Sequence, residues 1–205
     1  MKVGTDGVLL GAWAPTGSRI LDVGTGSGLI ALMLMQRCPE AEVEGIDIDE
    51  AAVEQACENG VKAFCARLQE WQGLYDLIVS NPPYFHNSLK NPDEGRKTAR
   101  HTDTLSYAEL VKHSARLLKE GGQLAVILPA EAENEVRQLA ATEDLFLTHA
   151  TRVYSKESKP ARRVLMNFVM ATLRNDDITI DTLVLEDEKG GRSLPYQELC
   201  KEFYL

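Results

Sequence analysis

The chain has 205 residues, of which 44% are hydrophobic and 26% are charged, and its net charge is −9. This length suits one domain with a true apolar core, and the composition excludes a disordered or collagen-like chain. The longest apolar run, Leu29 to Met35, is far shorter than the roughly 18 residues that a membrane span requires. The start of the chain turns polar at once, unlike a signal peptide. We therefore expect a single domain over residues 1–205 in the cytoplasm, without membrane contact.

The acidic charge balance limits the partners that the surface can bind. A protein whose whole surface binds nucleic acid is usually basic, so any such contact here must use local basic clusters. The cysteines form no C-x-x-C pair and have no histidine near them in ligand spacing; they are Cys38, Cys57, Cys65 and Cys200. We therefore predict no metal site, and reduced thiols that act as small buried hydrophobic groups.

Strand-like apolar runs alternate with segments of helical period, which predicts an α/β domain with a mostly parallel sheet. The predicted strands are Arg19 to Val23, Val43 to Ile48, Ala63 to Ala66, Tyr75 to Ser80, Gln123 to Leu128, Leu145 to Val153 and Arg163 to Leu173. The predicted helices are Leu29 to Arg37, Glu50 to Glu58, Leu105 to Lys119 and Glu131 to Thr142, with a short helix near the end of the chain. We expect Asp49 to cap the second helix and Gly121-Gly122 to end the third.

A glycine-rich segment, Asp22 to Gly28, joins the first strand to the first helix. Its glycines allow a tight turn and let a cofactor approach the backbone N–H groups. Asp47 ends the second strand 19 residues after Gly28, where a ribose-binding carboxylate belongs. This pattern leaves S-adenosylmethionine, NAD and a structural turn open, since G-x-G-x-x-A also satisfies the loose dinucleotide fingerprint. Asp22 at the entry to the loop, and a G-x-G-x-G core suited to a cofactor without a pyrophosphate, favour S-adenosylmethionine.

A second motif, Asn81-Pro82-Pro83-Tyr84, follows the fourth strand. In open α/β sheets ligands bind beyond the carboxyl ends of strands, where this motif emerges. The prolines fix the backbone, so the amide oxygen of Asn81, the carbonyl of Pro82 and the ring of Tyr84 form a rigid arm. Two acceptors and a stacking ring suit a planar amine such as adenine, whose nitrogen becomes nucleophilic as a methyl group is transferred. The alternative interpretation is a stiff turn with a packed aromatic ring.

With both motifs, the chain resembles the class I S-adenosylmethionine-dependent methyltransferases that carry N-P-P-Y, and it is similar to the bacterial tRNA1(Val) (adenine(37)-N6)-methyltransferase family. The resemblance covers nearly the whole chain. The matching segments are Met1 to Gly7 leading into Leu10 to Trp13, Asp22 to Gly28, Asn81 to Tyr84, Arg162 to Leu165 and Tyr196 to Leu205. The resemblance implies a Rossmann-like fold with a seven-stranded, mostly parallel sheet, helices on both faces and an antiparallel last strand.

The resemblance also implies a function, which is N6-methylation of adenine 37 in tRNA1(Val), the base 3′ of the anticodon, with S-adenosyl-L-methionine as cofactor. Asn81, Pro82 and Tyr84 would hold the target adenine as the catalytic residues. The implied cofactor contacts are Lys2, Thr5, Asp6, Asp22, Gly24, Gly26, Gly28, Asp47, Arg67 and Asn81. Within that set, Lys2 to Asp6 would close over the methionine end, and Asp47 would bind the ribose hydroxyls.

The chain departs from the family pattern in three places. Family members usually carry a further N-terminal segment, so we expect one to be missing here. The link from Asn59 to the third strand is short, which suggests missing residues near Asn59 to Lys62. The family usually has an acidic residue at the position of Arg67, to meet the adenine amine of the cofactor. Arginine has no acceptor, so only the backbone N–H of Arg67 could contact the ring.

Two basic clusters are the candidate contacts to the anticodon stem-loop of tRNA. One, after N-P-P-Y, contains Arg96, Lys97 and Arg100, and the other, before the seventh strand, contains Arg162 and Arg163. Either could be an ordinary solvated surface. We favour RNA, because both clusters lie in loops expected to rim the same mouth and an anticodon loop offers an already unpaired base. Two other functions remain open: glutamine N5-methylation in a protein by an N-P-P-Y enzyme, and RNA binding without catalysis.

Overall fold

Runs of aliphatic residues with few polar interruptions form the strands of a sheet, and segments between them form the helices that cover it. The computed structural model describes residues 4–83, 105–171 and 177–203. Within these ranges the strands are β1 (Arg19–Val23), β2 (Glu42–Asp47), β3 (Lys62–Cys65), β4 (Tyr75–Ser80), β5 (Leu118–Pro129), β6 (Leu145–Tyr154), β7 (Arg163–Met170) and β8 (Thr179–Val184). The helices are α1 (Thr5–Trp13), α2 (Leu29–Arg37), α3 (Glu50–Glu58), α4 (Tyr107–Leu117), α5 (Glu133–Ala141) and α6 (Leu194–Leu199), and a 3-10 turn, Ala130–Ala132, precedes α5.

The strand order creates a crevice at the carboxyl ends of β1 and β4. The described strands form one sheet in the order β3-β2-β1-β4-β5-β7-β6-β8. Among them only β7 runs antiparallel to its neighbours, and the other pairs are parallel. From β1 the chain passes outward to β2 and β3 and then returns to β4 on the other side of β1, which makes a topological switch point. The sheet confirms the predicted Rossmann-like class. It has eight described strands instead of the predicted seven, so the antiparallel strand is the seventh, β7, and the last strand, β8, is parallel to β6.

Helices cover both faces of the sheet, as predicted. On one face the apolar sides of α4 and α5 pack against the strands, and on the other face α1, α2, α3 and α6 do so. Successive side chains of β7 alternate between the two layers, with Leu165 in one and Phe168 in the other, and both are fully buried. Because the helices cover the faces, the carboxyl edge of the sheet remains available for a ligand.

Helix α1 is absent from the sequence prediction, which has a loop over Lys2 to Asp6. Its residues Gly7 to Ala12 are all buried, so it has no polar face that would mark a helical period. Gly11 lets α1 pack closely on α2, because a Cβ at this position would lie 2.6 Å from the sulfur of Met33. The beginning of the described chain is therefore a buried helix.

Two strands also differ from the prediction. Strand β8 pairs with β6 at the edge of the sheet, and it was not predicted because Leu183 is its one buried residue. The prediction that Gly121-Gly122 ends the third helix is wrong, since α4 ends at Leu117 and β5 begins at the next residue. Gly121 has a φ of +74° where the register between β4 and β5 shifts. The two glycines therefore belong to an irregularity inside β5.

Two backbone hydrogen bonds fix the short link between α3 and β3. The N–H of Gly60, at a φ of +93°, donates to the carbonyl of Cys57 at 2.9 Å, and the N–H of Val61 donates to that of Ala56 at 3.0 Å. Such bonds and a left-handed glycine are typical of a helix C-terminus. The short link is thus a helix end that leads directly into β3, and missing residues are not required to explain it.

The cysteines are less buried than predicted. Cys200 is buried and Cys38 is partly buried, whereas Cys57 and Cys65 are exposed. The two exposed thiols belong to α3 and β3, at the outer edge of the sheet.

In the described part of the chain, no helix is long and apolar enough to cross a membrane.

Candidate active site

The glycine loop between β1 and α2 presents its backbone to the crevice. The N–H groups of Gly24 and Thr25 donate to the carbonyl of Ile46 at 2.8 and 3.0 Å, which fixes the loop against the end of β2. Gly24 has a φ of +70° and is exposed, and a Cβ built there would meet no atom within 4 Å. Gly24 therefore provides the turn and an open approach to the loop, whereas the contacts of the loop hold it in one conformation.

The side chain of Asp22 holds the glycine loop in place from inside the protein. Its side chain is fully buried and accepts hydrogen bonds from the Thr25 hydroxyl at 2.8 Å and from the Ala31 N–H at 3.2 Å. Burial raises the pKa of Asp22 to about 7, although these two bonds oppose the shift. Because Ala31 is in the first turn of α2, a pyrophosphate there would meet a carboxyl group in place of free N–H groups. This contact disfavours the NAD interpretation.

Asp22 and Gly28, both predicted as cofactor contacts, are therefore supports of the loop. Gly28 is buried at the start of α2, with a φ of +83°. A Cβ there would lie 2.7 Å from Cγ2 of Val61, so glycine allows the link after α3 to pack against the loop. Neither residue faces the crevice.

Asp47 and Ile48 form the edge of the crevice at the end of β2. The Oδ2 atom of Asp47 accepts from the N–H of Gly26 at 2.9 Å, and Oδ1 accepts from the N–H of Asp49 at 3.0 Å. These bonds orient the carboxylate, and each oxygen retains another lone pair for a ligand. The side chain of Ile48 is 52% exposed, which leaves an apolar surface directly beside the carboxylate.

Two cavities meet along the carboxyl edge of the sheet. The first, of about 400 Å³, lies between the end of β2, the segment 66–69 and the start of α4. The second, of about 540 Å³, lies between the glycine loop and the start of α1, where Gly4 and Gly7 line it. Both volumes are within the range of small-molecule sites. The two cavities share Gly24 and Asn81, so one elongated ligand can occupy both and pass these residues at its middle.

The N-P-P arm begins at this shared point. The buried hydroxyl of Ser80 donates to the carbonyl of Val23 at 2.9 Å, which ties the end of β4 to the end of β1. Asn81 follows, partly exposed and in contact with both cavities, while Pro82 is buried and lines the first. Tyr84 lies outside the described residues. The strand ends thus place the amide of Asn81 where the two cavities join.

The residues predicted to close over the cofactor have a different arrangement. Lys2 lies outside the described residues, and Thr5 and Asp6 form the first turn of α1. The Nε atom of Arg163 donates to Oδ2 of Asp6 at 2.9 Å, so a predicted cofactor contact and a predicted RNA contact are paired with each other. This pair joins α1 to the start of β7. The cofactor contact of Asp6 and the RNA contact of Arg163 stay predictions.

Of the two basic clusters, the structure describes the second. Arg96, Lys97 and Arg100 lie outside the described residues. Arg162 is exposed just before β7. Because Arg163 pairs with Pro129 at the end of β5, this start of β7 lies at the same edge of the sheet as the crevice. Arg162 is therefore placed on the rim that the sequence predicted.

Among the described residues, no group of side chains could hold a metal ion.

The first cavity is lined by Arg67, which was predicted as a cofactor contact, and by residues that the sequence interpretation missed. Arg67 is exposed and lines the cavity, as do Gln69, Leu105 and Glu109. Ser106 caps α4 together with Glu109 in a reciprocal capping box. The S-x-x-E spacing could have predicted that helix start. It could not have predicted that Glu109 faces the segment 66–69, since that contact depends on how α4 packs.

The chain matches the sequence model of the Methyltransferase small domain family over residues 4–152. A tRNA1(Val) (adenine(37)-N6)-methyltransferase of Bacteroides fragilis is 42% identical over 220 aligned residues, which cover 100% of this chain and 91% of the relative. A protein of the same name from Phocaeicola vulgatus is 44% identical over 217 residues with equal coverage. The crystal structure of a predicted O-methyltransferase, protein Atu636 from Agrobacterium tumefaciens, has the same fold, with a TM-score of 0.75, 16% identity and 96% of each chain covered.

The switch-point crevice, the glycine loop and these similarities define a methyltransferase of the Rossmann-like class. Within this class, the chain belongs to the tRNA1(Val) (adenine(37)-N6)-methyltransferase family.

Proposed function

We propose that the protein transfers the methyl group of S-adenosyl-L-methionine to N6 of adenine 37 in tRNA1(Val). The observation that carries this proposal is the meeting of the two cavities at Gly24 and Asn81. An elongated cofactor would pass this point at its middle, and the acceptor side chain of Asn81 lies beside it. Two full-length relatives at 42% and 44% identity, which bear the name of this activity, support the same substrate.

The residues of the two cavities fit this cofactor. Asp47 is oriented by two backbone N–H groups and can accept from the ribose hydroxyls, while Ile48 offers an apolar surface to the base. The carboxyl group of Asp22 at the start of α2 suits a cofactor without a pyrophosphate. Gly4 and Gly7 leave room beside the glycine loop for the amino-acid end. When bound, S-adenosyl-L-methionine supplies an electrophilic methyl group.

Asn81 and Pro82 act on the target amine. The amide oxygen of Asn81 and the carbonyl oxygen of Pro82 accept hydrogen bonds from the two hydrogens of that amine. These bonds favour the pyramidal form of the nitrogen and strengthen as positive charge develops on it, which is preorganised electrostatic stabilisation. The proton becomes acidic once the nitrogen bears its methyl group, so water can remove it and no strong base is required. Tyr84 stacks on the target base.

The RNA approaches the carboxyl edge of the sheet. Arg162 is exposed on that edge. Arg96, Lys97 and Arg100 follow the N-P-P-Y motif in the sequence. Positive side chains on this rim attract the phosphates of the anticodon stem-loop, while the net charge of −9 disfavours RNA elsewhere on the surface. An unpaired base in that loop can enter the crevice at little energetic cost.

The proposed substrate class is tested with methyl-labelled S-adenosyl-L-methionine and a cell extract from a strain without the enzyme. Label that RNase removes and protease leaves supports the proposal. Label that protease removes indicates glutamine methylation instead, because the same arm of acceptors can hold a planar amide. If no label is transferred, the proposed activity is wrong, and calorimetry that shows no binding of S-adenosylhomocysteine then indicates a non-catalytic RNA-binding protein.

A further inference from the structure

In the wall of the first cavity made by the segment 66–69, the backbone carbonyls of Arg67, Leu68 and Gln69 accept hydrogen bonds from the protein itself. The carbonyl of Arg67 accepts from the N–H groups of Glu70 and Trp71, both at 3.1 Å. The guanidinium of Arg116 donates to the carbonyls of Leu68 at 3.2 Å and Trp71 at 2.8 Å. These bonds hold the wall firmly. They also engage the carbonyls of Arg67, Leu68 and Gln69 with partners inside the protein, which leaves the side chains of this segment as candidate acceptors for a ligand.

Gln69 and Glu109 are the side chains that can do so. The amide nitrogen of Gln69 donates to Oε1 of Glu109 at 3.2 Å. Oε2 of Glu109 accepts from the Ser106 N–H at 3.0 Å and from its hydroxyl at 2.7 Å. These bonds hold the pKa of Glu109 below its usual range, with the Ser106 N–H contributing most. The carboxylate is therefore ionised and can only accept.

The charge state of Glu109 fixes the orientation of the Gln69 amide. Since an ionised carboxylate only accepts, the amide nitrogen of Gln69 must face it, and the amide oxygen faces away. No residue in the described ranges donates to that oxygen. Gln69 is partly buried and lines the same cavity as Asp47 and Ile48. The cavity that holds the Asp47 carboxylate thus also holds a second acceptor, whose direction is fixed.

We infer that the amide oxygen of Gln69 accepts a hydrogen bond from the exocyclic amine of the cofactor adenine, and that Glu109 is the positioning residue that holds it there. The inference rests on the proposed function, since it requires an adenosyl cofactor in the first cavity. The pair gives the site an acceptor that the Arg67 side chain cannot supply. It also makes the site select adenine against a base with a carbonyl at the same position. Turning the amide to suit a carbonyl would bring its oxygen against the Glu109 carboxylate.

The test is calorimetric and does not depend on turnover. S-adenosyl-L-homocysteine is compared with S-inosyl-L-homocysteine, in which a carbonyl oxygen replaces the adenine amine. The wild-type protein is expected to bind the adenosyl ligand about 10- to 100-fold more tightly. Gln69→Met, which keeps the length of the side chain without an acceptor, and Gln69→Ala are expected to reduce this ratio to about threefold or less.

Glu109→Gln tests the positioning role, because glutamine retains the capping-box spacing with Ser106 but no longer fixes the neighbouring amide. The Glu109→Gln variant is expected to have a lower ratio of the two ligand affinities, while the thermal stability of the protein stays unchanged. Gln72→Ala is the matched control, since Gln72 is exposed and its amide donates to the carbonyl of Glu70 outside the cavity. That variant is expected to keep the full ratio.

The outcomes separate this inference from the proposed function. If the wild-type protein binds neither ligand, the proposed cofactor is wrong and the inference falls with it. If the wild-type protein binds the adenosyl ligand and both Gln69 variants keep the wild-type ratio, the role of Gln69 is wrong while the proposed function stands. A Glu109→Gln ratio equal to that of the wild type, with a reduced ratio in the Gln69 variants, contradicts the positioning role alone.

Discussion

Two effects act in opposite directions on the pKa of Asp22. Its hydrogen bonds to Thr25 and Ala31 organise the glycine loop, but its burial penalises the ionised form and raises its pKa from the ordinary 3.8 to about 7. The folded chain therefore binds this proton more tightly than the unfolded chain does. Between about pH 4 and pH 7 the free energy of unfolding must then decrease as the pH rises.

Asp22→Asn removes that dependence, because the amide oxygen still accepts the two bonds and the group does not titrate. The free energy of unfolding of the variant, relative to the wild type, is expected to rise by about 2–3 kcal/mol from pH 5 to pH 8. Urea unfolding at several pH values measures this difference. Parallel pH profiles for the two proteins would show that the Asp22 proton is not bound more tightly on folding.

Asn81 is expected to contribute far more to the chemical step than to cofactor affinity. Asn81→Ala should lower the single-turnover methylation rate about a hundred- to a thousandfold, by analogy with the loss of one oxyanion-hole donor. Its affinity for S-adenosylhomocysteine should change little. Asn81→Asp keeps an acceptor oxygen and should retain more activity than alanine. If aspartate exceeds asparagine, with a rate that rises through the carboxylate pKa, a general base operates instead.

The pair Asp6–Arg163 shows how α1 is fixed to the sheet. The two side chains are 23% and 30% exposed and join the first turn of α1 to the start of β7, beside the second cavity. Their bond therefore has a structural effect that an isolated surface ion pair would lack. It also keeps Gly4 and Gly7 in place next to the glycine loop.

A double-mutant cycle of Asp6→Ala and Arg163→Ala is expected to give a coupling of about 1 kcal/mol in the free energy of unfolding. Arg163→Ala should leave the salt dependence of tRNA binding unchanged, because the guanidinium is engaged with Asp6. A coupling free energy near zero, together with a shallower salt dependence of tRNA binding for Arg163→Ala, would contradict this role and would support Arg163 as an RNA contact.

The sequence predicted those elements whose signal is local. The spacing from Asp49 to Glu58 and the buried run from Tyr75 to Ser80 agree with α3 and β4 to the residue. Helix α1 and strand β8 were missed, because the first is buried all round and the second is exposed along most of its length. In both elements the packing of neighbours decides the structure, and no apolar period marks it.

The same distinction applies to the candidate site. Gly24, Asp47 and Asn81 were predicted, because each follows a strand and strand ends converge at one edge of the sheet. The pairing of Asp6 with Arg163, 157 residues apart, and that of Gln69 with Glu109, 40 apart, depend on tertiary contacts and have no local signal. Asp22 was assigned to the correct loop, but its burial became evident only from the packing of α2.

The proposed RNA contacts are local basic clusters in an acidic chain, whose net charge is −9. Neutralising Arg162 together with Arg96, Lys97 and Arg100 is expected to weaken tRNA binding and to make its salt dependence shallower by about one unit of slope per lost phosphate contact. Lys119→Ala is the control, since Lys119 pairs with Asp76 at the opposite edge of the sheet. Equal effects of the two changes would mean that the RNA approaches elsewhere.

The most direct test of the account is methylation of defined transcripts of tRNA1(Val). The purified protein is incubated with S-adenosyl-L-methionine and either the natural transcript or one with guanine at position 37, and the nucleosides are quantified by mass spectrometry. The account predicts one N6-methyladenosine per natural transcript and none in the variant. N6-methyladenosine in both transcripts would contradict the proposed position, and its absence from the natural transcript, with S-adenosylhomocysteine bound, would contradict the proposed reaction.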